Sequence, residues 1–171
     1  MTAIETGMRW GELVALRPRH VDFLRRTVTV EETIVEVSKP YPKDNEPRTF
    51  GVRADWLADV TEHIRTHRIG RDDLCLAPKP VPQISRNTFR SRVWLPAVQA
   101  CEVDFAVRVH DLRHAHASWL LAGGADLKGV MDRMGHAQIQ TTQKYLHTPP
   151  ETDQRNLDAL SRIAGPGRLR R

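Results

Sequence analysis

One stretch of this chain, Thr27–Val37 (TVTVEETIVEV), alternates β-branched with charged residues, and it narrows the possible folds more than any other feature. A period of two puts alternate side chains on opposite faces of a pleated strand. The stretch is long enough for two short strands. The turn-rich segment Lys39-Pro40-Tyr41-Pro42-Lys43-Asp44-Asn45-Glu46-Pro47 follows, and Arg48 to Val52 suits a third strand. The remaining apolar residues recur at helical spacing between glycine and proline stops. The expected fold is therefore mainly α, with a small antiparallel β-sheet near the N-terminus.

The helices are bounded by local signals. Met8 to Leu16 reads as a helix broken by Pro18, and Ala54 to His67 as one with Trp56, Leu57, Val60 and Ile64 on one side. Gly70 to Pro82 reads as a loop around Leu74-Cys75-Leu76. Ser85 suits the N-cap of a helix to about Ala100, which Pro96 should kink. His110 to Ala122 stops at Gly123-Gly124, and Asp126 caps Leu127 to Met134, ended by Gly135. Gln138 to His147 and a segment from Pro150 to about Ile163 read as two further helices. The expected organisation is one domain over 1–164 and a basic disordered tail over 165–171.

Charge indicates the partner. The formal net charge is +5, and only five of the 26 cationic side chains are lysines. A guanidinium fork matches phosphate oxygens better than a point charge does, so a polyanion is favoured. No apolar run reaches the roughly 20 residues needed to span a bilayer, and the chain is read as cytoplasmic and nucleoid-associated, with no membrane partner. Cys75 and Cys101 share no pair spacing and are read as reduced thiols.

The chemistry-bearing residues cluster late in the chain. In His110-Asp111-Leu112-Arg113-His114, His110 and Arg113 are three apart and share a helix face, where together they can grip one phosphate. His110 and His114 also have metal-ligand spacing. Asp111 rather than glutamate follows His110, however, and Arg113 would repel a cation, so no metal is assigned. His114 and His116 are read as core or supporting residues. Tyr145, one of two tyrosines, can attack phosphorus to give a phosphotyrosine, or can be a half-buried packing residue.

The pieces taken together resemble the tyrosine recombinase, or phage integrase, family. The matching stretches are Thr6-Gly7-Met8-Arg9-Trp10-Gly11-Glu12-Leu13, His110 to His114, Met134-Gly135-His136, and Thr141-Thr142 before Tyr145-Leu146-His147. His136 follows Arg113 by 23 residues, and Tyr145 follows His136 by nine. The resemblance covers Thr6 to about Ile163. It implies that Arg9, His110, Arg113 and His136 surround a scissile phosphate and that Tyr145 is the nucleophile. Lys43 is implied to protonate the leaving oxygen from a β-hairpin tip. Lys39 competes for that role, because the family's Lys-Thr pair is replaced by Lys43-Asp44, although Arg48-Thr49 downstream does match. Glu12 resembles the acidic residue that supports the site, with a solvated helix carboxylate as the alternative.

The resemblance further implies double-stranded DNA as partner, a homo-tetramer on DNA from a free monomer, and no cofactor. The segment Pro150–Ile163 would pack on a neighbouring protomer or on its own domain. Family members usually carry a separate N-terminal DNA-binding domain, and no counterpart is expected ahead of Thr6. A DNA-binding remnant or regulator that does not cut is therefore the alternative. A metal-dependent nuclease lacks its acidic cluster, and a type IB topoisomerase would share the site chemistry.

Overall fold

The computed structural model describes residues 2–34, 47–77 and 85–135. Lys39, Lys43, His136, Tyr145, the helices expected over 138–147 and 150–163, and the tail all lie outside the described residues. The described part is mostly helical with one three-stranded antiparallel sheet, in the order β1 (Val21–Asp22), β2 (Thr27–Val30), β3 (Arg48–Gly51). The described residues form seven α-helices: α1 (Thr2–Thr6), α2 (Trp10–Ala15), α3 (Ala54–Thr66), α4 (Arg86–Phe89), α5 (Leu95–Ala100), α6 (Val109–Ala122) and α7 (Leu127–Met134). Among the described residues no helix is long and apolar enough to cross a membrane.

The sheet forms where the alternation predicts it, but with different partners. Val21 pairs with Val28, and Val30 pairs with Arg48. In β2 the buried residues are Val28 and Val30, while Thr27 and Thr29 are half-buried. Residues 31–34 are not in a strand, so the described part of the expected Thr27–Val37 pair contains only one strand. Its first partner is the unforeseen β1. A turn led by Asp22 makes that pairing, its carboxylate accepting from the N–H groups of Leu24 and Arg25 at 3.0 and 2.8 Å.

The first helix also differs from expectation. Of Met8 to Leu16, only Trp10–Ala15 (α2) is helical. Met8 and Arg9 are non-helical, Arg9 is the N-cap of α2 in an extended conformation, and Leu16 is its C-cap. The break is set by Gly7, at φ +64°, a conformation that carries a steric penalty for any residue with a Cβ. The Arg9 N–H left outside the helix donates to the Glu12 carboxylate at 2.7 Å, half of a capping box.

The other helices follow their signals. Ser85 caps α4 by accepting from the Thr88 N–H at 3.1 Å. Pro96 acts through the preceding turn, where Arg90–Trp94 is π-helical between α4 and α5. A proline has no N–H for the carbonyl one turn back, and widening that turn accommodates the loss. Asp126 caps α7 at 2.7 Å to the Gly129 N–H, and Gly135 ends it at φ +61°.

One core joins α2, the sheet and α3 through Leu13, Leu16, Val28, Phe50, Trp56 and Leu57. A second, smaller one joins α6 to α7 through Ala117, Val130 and Met134. Both cysteines are free. Cys75 is buried, its thiol is pushed up to about 12 by desolvation, and its N–H donates to the Leu16 carbonyl at 2.8 Å. That bond ties the Leu74-Cys75-Leu76 loop to the core.

Candidate functional site

Three segments distant in sequence meet at the C-terminal end of α7: the Gly7–Glu12 turn, the start of β3, and the first half of α6. Two arginines bind consecutive carbonyls there. Arg113, only 3% exposed, donates from Nη1 to the Gly7 carbonyl and from Nη2 to the Met134 carbonyl. Arg9 donates from Nη2 to the Gly135 carbonyl at 2.7 Å. The last carbonyls of a helix lack intrahelical partners and carry the negative end of its dipole, so they suit guanidinium donors. The two cations expected to act on one phosphate are therefore brought together, and His136 is the next residue along the chain.

Glu12 holds the second layer of this arrangement. Its side chain is 1% exposed. It accepts from Arg9 Nη1 at 3.0 Å and from Arg48 Nη1 and Nη2 at 2.9 and 2.7 Å. Burial works to raise its pKa, but Arg48 and Arg9 outweigh burial and hold the carboxyl below its ordinary value. Glu12 is thus a buried anion, and the solvated-carboxylate alternative is excluded.

Arg48 is the member that sequence reasoning missed, since it served there only as a landmark for the lysine. Besides pairing with Glu12, its Nε donates to the Arg133 carbonyl at 2.9 Å. A Cβ at Gly135 would lie 3.1 Å from Arg48 Nη1, which shows how closely the α7 terminus sits on this guanidinium. The available signal was electrostatic: a glutamate among buried residues of an amphipathic helix needs a cation from elsewhere.

His110 lies at the start of α6, three residues before Arg113. Its ring meets His114 edge-on, with centroids 4.6 Å apart. Desolvation lowers its pKa, as do His114, Arg113 and Arg86, while Asp111 opposes them. The ring is thereby biased to the neutral form, which can accept a proton. Asp111 is held instead by Arg108, at 2.8 Å from Nη2. The positions of Lys43, Lys39, His136 and Tyr145 relative to these groups lie outside the described residues.

The described residues bring ligand-type atoms together for a metal only at His20, Glu31 and Glu32, within 4.8 Å of one another. Arg17 and Arg19 already pair with Glu32, and their charge opposes a cation. The cluster is an ion-pair network on the far side of the sheet's first turn, and His110, His114 and His116 do not form one.

A model of the phage integrase family matches residues 1–152. Tyrosine recombinase XerD of Vibrio vulnificus is 30% identical over 148 residues, covering 85% of this chain and 46% of that protein. The putative prophage phiRv2 integrase of Mycobacterium tuberculosis is 28% identical over 166 residues, covering 92% of this chain and 44% of that protein. The chain thus spans less than half the length of these relatives. A solved structure of the Tn1549 transposon integrase in complex with transposon right end DNA superimposes with a TM-score of 0.76 at 16% identity, covering 94% of this chain and 57% of that one.

Proposed function

The chain belongs to the phage integrase family, and from that membership we propose that it is the catalytic domain of a site-specific DNA recombinase that cuts and rejoins double-stranded DNA through a 3′-phosphotyrosine at Tyr145. The observation that carries the reading is the convergence of Arg9 and Arg113 on the Met134 and Gly135 carbonyls, immediately before His136.

A phosphodiester repels nucleophiles by its charge, and in the transition state that charge spreads over the equatorial oxygens. Two guanidiniums fixed by backbone carbonyls offset it without having to reorganise. In the proposed cycle the Tyr145 oxygen attacks phosphorus, the bond to the 5′ oxygen breaks, and Lys43 gives that oxygen its proton. His110, biased neutral, accepts the tyrosine proton, and His136 donates to a non-bridging oxygen. Glu12 and Arg48 hold Arg9 in place. The new phosphodiester to tyrosine conserves the energy of the old one, so rejoining is the reverse attack by a 5′ hydroxyl and needs no nucleotide. Arg9 and Arg113 supply the positive charge, and His136 the hydrogen-bond donor, that a metal would otherwise bring, and no cofactor is invoked. Strand exchange between two duplexes would engage a homo-tetramer assembled on DNA from free monomers, in the cytoplasm at the nucleoid.

The test is a nicked suicide duplex that traps the covalent adduct, given to the full-length protein. The adduct should form in EDTA and vanish in Tyr145→Phe. Removing one site guanidinium, as in Arg113→Ala, should slow its formation about 10²–10³-fold. DNA binding without any adduct would instead favour a regulator that does not cut.

A further inference from the structure

His116 is a buried polar residue that the proposed chemistry does not use. It lies on α6 three residues after Arg113, on the same side of the helix. Its two ring nitrogens have different partners. Nδ1 is 2.7 Å from the Ile4 carbonyl, which can only accept, so Nδ1 carries the proton. Nε2 is 2.9 Å from Arg133 Nε–H, which can only donate, so Nε2 is the bare acceptor. The ring is thus the neutral Nδ1–H tautomer, and it bridges α1 to α7.

The bridge sits directly beside the two carbonyls that hold Arg113. A Cβ on Gly7 would lie 2.5 Å from His116 Cδ2 and 3.0 Å from the Met134 sulfur, so ring, glycine and methionine are in contact. Arg133 extends the clamp, donating to the Gly51 carbonyl at 2.8 Å and the Glu5 carbonyl at 3.1 Å while lying 4.5 Å from the Phe50 ring centre. The sheet, α1, α6 and α7 therefore meet around this histidine.

We propose that His116 is a positioning residue for Arg113: as a neutral imidazole it ties Ile4 to Arg133, and so fixes the separation of the Gly7 and Met134 carbonyls that grip the Arg113 guanidinium. The charged groups facing it are Glu5 from α1, Arg113 from its own helix and Arg133 from α7, the last acted on by Arg48 of β3. A protonated ring would set an N–H against the Arg133 Nε–H and a third cation beside Arg113 and Arg133. The clamp therefore works only when His116 is neutral. Its consequence for catalysis rests on the recombinase reading, but its effect on Arg113 does not.

The test separates the two. In the ¹⁵N-labelled full chain, with the Arg113 Nε–H signal assigned by its loss in Arg113→Lys, solvent exchange of that proton is measured alongside the His116 ring nitrogens. His116→Phe keeps the bulk and removes both hydrogen bonds, so Arg113 exchange should rise about tenfold or more, whereas His116→Gln, which can donate and accept, should stay near wild type. In the unmutated protein, acidification should titrate His116 and, over the same pH range, raise Arg113 exchange relative to the intrinsic rate of a free guanidinium at each pH, which keeps the proposal testable if His116→Phe does not fold. With the suicide duplex, His116→Phe should slow adduct formation without changing DNA affinity. Arg113 exchange that ignores both the substitution and the titration overturns the proposal. No adduct from wild type, with Arg113 exchange responding as described, leaves the clamp standing and overturns the recombinase reading instead.

Discussion

Replacing Glu12 by alanine should strongly destabilise this fold. Glu12 accepts four hydrogen bonds, from the Arg9 N–H, Arg9 Nη1 and both Arg48 Nη atoms. The two arginines differ in solvent access: the Arg48 side chain is 11% exposed and that of Arg9 38%. Arg9 can rehydrate, and its pairing contributes at most about 1 kcal/mol. Arg48 cannot, so removing its counter-ion strands a buried charge at about 3–5 kcal/mol. For a chain of 171 residues, that corresponds to a Tm lower by about 6–20 °C. Arg48→Ala should do similar harm by stranding Glu12. The double variant should fall well short of the sum, with a coupling of about 2–3 kcal/mol. Urea unfolding followed by tryptophan fluorescence gives all four corners of the cycle. Additive losses, or a Glu12→Ala cost below about 1 kcal/mol, would refute the view of Glu12 as a buried anion neutralised chiefly by Arg48.

Three further outcomes are expected. Gly7→Ala adds a left-handed penalty of about 1–2 kcal/mol to a clash with the His116 ring; calorimetry should show a lower Tm, and a Tm at or above wild type would contradict the packing described. Asp126→Ala removes the α7 cap and should cost about 1 kcal/mol, read by urea titration, with Asp126→Asn recovering most of it. Acidification should destabilise the fold in two windows. His20, His110 and His116 have lowered pKa values, so the unfolded chain binds more protons, and stability present above about 6.5 declines as pH falls through their folded values. Glu5, Glu12 and Glu32 are likewise lowered, and their share, present above about 4.5, is lost on falling further. A flat Tm between pH 7 and 5 would contradict the neutral histidines.

What the sequence disclosed depended on the range of the forces involved. Helix boundaries at Ser85, Asp126 and Gly135 are local, each set by one side chain or one φ angle, and they were legible. The break between α1 and α2 is local too, but it is set by Gly7, which carries no apolar signal, while the apolar period continues past Arg9. Strand pairing is not local: β1 has only Val21 and Asp22, too few residues to show a period, and it exists because β2 offers it an edge. Arg9, Arg113 and His110 could be chosen by residue type and order. Arg48 could not, since its role comes from what faces it across the fold; His116 could be read as a core or supporting residue, but its partners Ile4 and Arg133 could not.

The sheet has a further consequence for how the protein folds. Because Val30 lies opposite Arg48 and Phe50 points into the core, sliding β3 by one residue would present Thr49 to Glu12 and turn Phe50 toward water. A threonine hydroxyl cannot neutralise a carboxylate sealed from solvent. Glu12 therefore gauges strand alignment: a chain with β3 slipped by one residue leaves the buried carboxylate to Arg9 alone, the more exposed of its two partners. Correct pairing of β2 with β3 and neutralisation of Glu12 are one event.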